Sequence, residues 1–155
     1  MKRNTIAIAL LISAVATGLC LAGGDDAFMG TWKLNEAKSK IPAHAAHNNT
    51  VVYAQSGDDV KITSDGVGTD AKATHQEWSG KFDGKDYAAK GSPIHDMRAY
   101  AKVDGNTLTY TMKKEGKNVG NGKVVIAADG KSRTVTETST GADGKEVTTT
   151  SVFDK

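Results

Sequence analysis

From residue 50 onward the chain is cut at short intervals by an acidic residue followed by glycine: Asp65-Gly66, Asp83-Gly84, Asp104-Gly105, Glu115-Gly116, Asp129-Gly130 and Asp143-Gly144. Such pairs suit the positive φ angles of tight hairpin turns, and the segments between them alternate apolar with polar residues as half-buried strands do. The clearest is 107–113, where Leu108, Tyr110 and Met112 fall on one face and Thr107, Thr109, Thr111 and Lys113 on the other. Ser56-Gly57-Asp58-Asp59 reads as a further hairpin between 50–55 and 60–63. Segments 69–80, 85–89, 97–103, 107–114, 117–127, 131–139 and 145–153 continue the series, and Asp65-Gly66 with Gly68 reads as a turn. Glycine makes up 17 of 155 residues, above a usual share of about 7%, and proline occurs twice, so turns are frequent and the strands between them uninterrupted. The result is an all-β fold, an antiparallel up-and-down meander of about nine or ten strands. A meander of that length leaves two bare edges unless its last strand meets its first. Closure into a barrel of about eight to ten strands is therefore expected.

The first strand is expected over 28–34, Phe28-Met29-Gly30-Thr31-Trp32-Lys33-Leu34. Its alternate positions Phe28, Gly30, Trp32 and Leu34 share one pleat face. Trp32 carries the largest apolar surface and a ring N–H that needs a partner, so it is expected to anchor the interior. Gly30, lacking a Cβ, admits a close neighbour. Gly30-x-Trp32 followed by Lys33-Leu34 resembles the opening strand of the calycins, the lipocalins and fatty-acid-binding proteins. The stretch 27–34 is most similar to the fatty-acid-binding form. With its Asp-Gly-Lys turns and its Phe153-Asp154-Lys155 end, the chain also resembles small secreted bacterial proteins of that calycin-like kind. The resemblance implies a calycin-like barrel with Trp32 at its closed end.

Two features depart from the fatty-acid-binding pattern. That family inserts a two-helix lid after its first strand, whereas 35–49 offers room for one short helical turn with Asn35 as N-cap, ended before Pro42, and then loop over 41–49. The family also carries an Arg-x-Tyr pair on its final strand that holds a ligand carboxylate, and the matching stretch here is Ser151-Val152-Phe153. Without that guanidinium the charge-assisted, bidentate hydrogen bond to a fatty acid is lost.

Ahead of the first strand, Lys2 and Arg3 precede an uncharged apolar or small stretch over 5–22, the pattern of a secretory leader. Cleavage after Ala22 fits Cys20-Leu21-Ala22, with Gly18 and Gly24 as alternatives, leaving 23–155 as one domain in the periplasm or outside the cell. The apolar part is short for a membrane span. Cys20 is the only cysteine. Leu19 stands where lipid attachment wants a small residue, so Cys20 is expected to leave with the leader and no lipoprotein anchor to form. Removing Lys2 and Arg3 leaves 18 Lys+Arg against 18 Asp+Glu, a balance that argues against nucleic acid as a partner.

Candidates for chemistry are few. His44 and His47 are three apart but lack a third ligand nearby and read as solvated loop residues, so no metal and no cofactor are expected. His75 and Glu77 share one strand face and could form an acid/base pair if that face were internal. Trp78 has the opposite parity, which puts both outside if Trp78 is inside. His95-Asp96 follows Pro93 in a loop. There is no Gly-x-Ser-x-Gly elbow and no glycine-rich phosphate loop, so no catalytic residue is assigned and the protein is expected not to be an enzyme. Arg98 and Arg133 are read as exposed strand arginines. The segments 134–139 and 147–151 carry little apolar mass on either face, which fits a shallow, wet part of the sheet or strands whose inner faces line a hydrated cavity.

The function that follows is a lipocalin-like protein binding a small, partly apolar ligand inside the barrel, with Trp32, Tyr53, Trp78, Tyr110, Met112 and Phe153 as the expected lining. One alternative is an envelope interaction or inhibitor protein using the barrel as scaffold for an unspecified protein partner. A second is a barrel enzyme working through His75 and Glu77.

Overall fold

The computed structural model describes residues 26–140 and 144–155, so the leader over 1–22, with Cys20 and the cleavage position, lies outside the described residues. Ten strands follow one another: β1 Gly30–Leu34, β2 His47–Ser56, β3 Asp59–Val67, β4 Ala73–Gly80, β5 Tyr87–Lys90, β6 Met97–Asp104, β7 Thr107–Lys114, β8 Lys117–Ile126, β9 Ser132–Thr140 and β10 Glu146–Asp154. Each pairs antiparallel with the next, and β1 pairs with β10, so the expected meander closes into a barrel. Among the described residues the only helical element is a 3-10 turn, Glu36–Lys38, capped by the Asn35 side chain, which accepts from the Lys38 N–H at 3.2 Å.

The turn chemistry works as the glycines require. Glu115 (φ 50°) and Gly116 (φ 77°) both lie in the left-handed region, as a two-residue hairpin between β7 and β8 demands. Asp65-Gly66 behaves differently from its reading as a turn. Strand β2 begins at His47, inside the stretch expected to be loop, and its extra residues His47 and Asn48 supply partners for Val67 and Gly66. The chain therefore reverses later, where the Gly68 N–H donates to the Lys72 carbonyl at 2.8 Å. A Cβ at residue 66 would overlap the His47 backbone, so the glycine serves close strand approach.

The closing seam is short. Strands β1 and β10 share two register pairs, Lys33 with Asp154 and Leu34 with Phe153. The segment after β1 extends it: Asn35 N–H donates to the Val152 carbonyl (2.8 Å), Lys40 and Thr150 exchange backbone hydrogen bonds, and Ser39 Oγ accepts from Val152 N–H (2.9 Å). The edge of β10 from Thr150 onward is thereby paired without a full-length partner strand.

At the start of the barrel β1 begins at Gly30, two residues later than expected, because the chain turns at 26–29 before extending. Phe28 nonetheless packs inward, and Trp32, fully buried, donates its ring N–H to the Phe28 carbonyl at 2.9 Å. The cleft left by Gly30 takes the Lys155 side chain, whose Nζ lies 5.0 Å from the Trp32 ring centroid. Burying a ring of this size removes enough apolar surface to contribute roughly 2–3 kcal/mol.

Candidate functional site

The barrel interior is filled unevenly. One part is packed by aromatic rings: Phe82 meets Phe28 edge-on (6.0 Å) and stacks on Trp78 (6.2 Å), which meets Tyr100 edge-on at 4.8 Å. Above this packing a cavity of about 160 Å³ opens toward the start of β2, the β3–β4 turn and the loop at 92–95. Its wall mixes apolar side chains (Val51, Ile62, Val124, Val135) with polar ones, among them Gln76 and the buried Ser64 and Ser151.

Arg133 sits in that wall and is 2% exposed. Strand β9 alternates Arg133, Val135 and Glu137 toward the cavity, and Arg133 is the register partner of Phe153, a core residue. Directly paired strand residues share a face, so a core Phe153 brings Arg133 inward with it. The guanidinium carbon lies 5.0 Å from the Trp32 ring centroid and 4.8 Å from those of Tyr53 and Phe153. Three aromatic faces hold the cation by quadrupole attraction. None of them accepts in-plane N–H bonds, and buried Nε and Nη1 have no hydrogen-bond partner among the described residues.

A second guanidinium enters from β6. Arg98 pairs across with Met112, so it too faces inward. Its Nη1 donates to the Tyr100 hydroxyl and its Nη2 contacts Met112 Sδ, both at 3.2 Å, while buried Nε has no partner. Burial would pull its pKa down, but the phenol oxygens of Tyr100 and Tyr110 and the Glu137 carboxylate outweigh this and leave it a firm cation. Glu137 accepts a 2.6 Å hydrogen bond from the Tyr110 hydroxyl. Burial, then the Glu137 charge, raises the Tyr110 pKa, so the phenol stays protonated and donates. Room for this ring comes from Gly122 on β8, where a Cβ would overlap the Tyr110 phenol.

Near the mouth His95, 2% exposed, approaches Ser92 Oγ through Nδ1 at 2.8 Å. Burial first, then the Arg98 charge, pushes its pKa down to about 3, so the imidazole is neutral at ordinary pH. Ser92 Oγ also accepts from Ile94 N–H (3.3 Å), so the hydroxyl ties the ring to the loop backbone.

The cavity gathers four of the residues expected to line it, Tyr53, Tyr110, Met112 and Phe153. Trp32 and Trp78 belong to the packed core instead. Trp32 lies behind Arg133, and Trp78 donates its ring N–H to the Arg98 carbonyl (2.9 Å). His75 and Glu77 lie on the outer face, where His75 contacts Asp65 at 2.6 Å and Glu77 contacts Lys61 at 3.0 Å. The reading of Arg98 and Arg133 as exposed is overturned, because strand pairing with inward Met112 and Phe153 outweighs the general preference of arginine for the surface. Of the two readings of the threonine-rich strands, the structure has their inner faces, with Thr149 and Ser151, lining the cavity. Glu137, His95 and Ser151 were not singled out as site residues from the sequence.

No known protein family matches the sequence, and no curated protein does. Among solved structures, "Structure of a redesigned beta barrel, mFAP1, bound to DFHBI" is similar, at 15% identity and a TM-score of 0.45, covering 86% of this chain and 100% of that one.

Proposed function

We propose that the protein is a secreted or periplasmic, calycin-like binding protein rather than an enzyme, and that it holds a small, partly apolar molecule inside its barrel. The observation that carries this reading is the cavity beside Arg133, a buried cation with two nitrogens lacking hydrogen-bond partners in an otherwise close-packed, self-sealed sheet. Buried donors without partners are rare in folded proteins, and each calls for an acceptor, which a bound molecule can supply. The location rests on the leader pattern over 1–22. A scaffold role through an apolar outer surface draws little support, since the large hydrophobics exposed among the described residues are Val103 and Val125. Catalysis by His75 and Glu77 draws none, as neither reaches the cavity.

Native mass spectrometry of protein purified from its own host tests the reading, together with tryptophan fluorescence during titration with small lipophiles. Trp32 lies one guanidinium away from the cavity, so an occupant is expected to change its emission. Protein that carries no added mass and gives no fluorescence response to any compound would refute the binding role.

A further inference from the structure

Within that reading, the cavity also states which class of molecule it takes. We propose that the chamber receives a compact monoanion, a carboxylate carried on a single six-membered ring or an equally short apolar body, with its oxygens on the guanidinium groups of Arg133 and Arg98.

Three independent observations lead there. The first is hydrogen bonding. Arg133 Nε and Nη1 and Arg98 Nε are buried N–H donors without acceptors. The rings of Trp32, Tyr53 and Phe153 approach the Arg133 guanidinium carbon to 4.8–5.0 Å and offer it π faces, not lone pairs, so these N–H groups still call for acceptors. A planar carboxylate offers two oxygens that match a guanidinium edge.

The second is charge. The formally charged side chains of the wall are Arg98, Arg133 and Glu137, a sum of +1. Glu137 is already engaged by Tyr110 and stands near Arg98, whereas the contacts of Arg133 among the described residues are to aromatic rings. A single negative charge neutralises the site and a dianion overshoots it.

The third is size. A cavity of about 160 Å³ is close to the ~150 Å³ apolar cavity that admits benzene. One ring fills it, and a long acyl chain would have to run out through the mouth. The apolar wall of Val51, Ile62, Val124 and Val135 suits such a body.

The test is calorimetric titration of the full chain with benzoate, toluene, phthalate, palmitate and inorganic phosphate, repeated for Arg133→Met and Arg98→Met. Benzoate is expected to bind one to one, at least about 30-fold tighter than toluene, and to lose roughly that factor in either variant, as expected for a charge-assisted pair. Toluene should bind Arg133→Met as well as or better than the wild type. Phthalate, palmitate and phosphate should bind more weakly than benzoate by a similar factor. If palmitate binds more tightly than benzoate, or toluene matches benzoate in the wild type, the compact-anion assignment is overturned while the binding role stands. If no compound binds the wild type and host-purified protein is also empty, both fail. Should a variant not fold, the wild-type order of benzoate against toluene and palmitate still decides the assignment.

Discussion

Replacing Arg133 with methionine should make the empty barrel more stable, an outcome opposite to that of most core substitutions. The folded protein takes a guanidinium out of water to 2% exposure and leaves Nε and Nη1 without acceptors. An unmade hydrogen bond at a buried donor costs about 1–3 kcal/mol, and desolvating the charge costs several more. Against this stand three ring contacts within 5.0 Å, each worth about 0.5–2 kcal/mol. Methionine keeps a flexible stem of similar reach, retains sulfur–aromatic contacts with the same rings and removes the charge. The balance predicts a gain of roughly 1–3 kcal/mol in Arg133→Met. At this chain length that raises Tm by about 3–5 °C per kcal/mol. Urea unfolding followed by tryptophan emission measures it, with an unchanged m value showing that the two states are the same. Arg98→Met is the internal contrast. Arg98 stabilises the Glu137 charge and engages Tyr100, so its removal should destabilise by about 1–3 kcal/mol. If Arg133→Met instead loses more than about 1 kcal/mol at constant m, Arg133 is a structural element of the core. The reasoning that makes it a receptor would then be wrong.

The other predictions concern the frame around that cation. With a folded pKa of about 3 against 6.5 for a free imidazole, His95 contributes stability that is complete above pH 6.5 and is lost as pH falls toward 3. From pH 7 to 4.5 this amounts to about 2.5 kcal/mol; urea midpoints of wild type against His95→Gln across that range check it, and parallel pH profiles would contradict it. Gly122→Ala should push the Tyr110 ring off Glu137 and destabilise by about 1–3 kcal/mol. In a double-mutant cycle the penalty should shrink once Tyr110 is shortened to leucine, and additive penalties would show that the clash lies elsewhere. Trp32→Phe leaves the buried Phe28 carbonyl without its donor and should lower stability by about 1–3 kcal/mol in the same assay, with a near-neutral result counting against the anchor role.

Much of the frame was legible before any coordinates. Alternation in 107–113 put Leu108, Tyr110 and Met112 inside, where all three are buried, and Trp78 inside with His75 and Glu77 outside. The expected ends of β6 to β10 lie within about two residues of those observed. The inward arginines depend on strand register, which turn residues alone do not set and a one-residue slip reverses. Tight turns centred on Asp104-Gly105 and Asp143-Gly144 would set Arg98 opposite Thr111 and Arg133 opposite Asp154, whereas the observed register, with a bulge between Lys102 and Asp104, sets Arg98 opposite Met112 and Arg133 opposite Phe153. In that register, once Met112 and Phe153 are assigned inward, pairing carries both arginines inward as well, whatever their usual place. Other features were beyond the reach of sequence patterns. The early start of β2 at His47 depends on partners offered by β3, and His95 is buried although it lies in the loop between β5 and β6.

The claim on which the account turns is that the interior guanidiniums receive a ligand. Nitrogen-15 labelling of arginine gives a spectrum with few signals, since Arg3, Arg98 and Arg133 are the chain's arginines. On titration with benzoate, the Nε–H resonances of Arg133 and Arg98 are predicted to move together, saturate at one equivalent and exchange more slowly with solvent. Resonances of Arg133 and Arg98 that stay at their free positions, while added benzoate shifts Arg3 alone or nothing at all, would contradict the account.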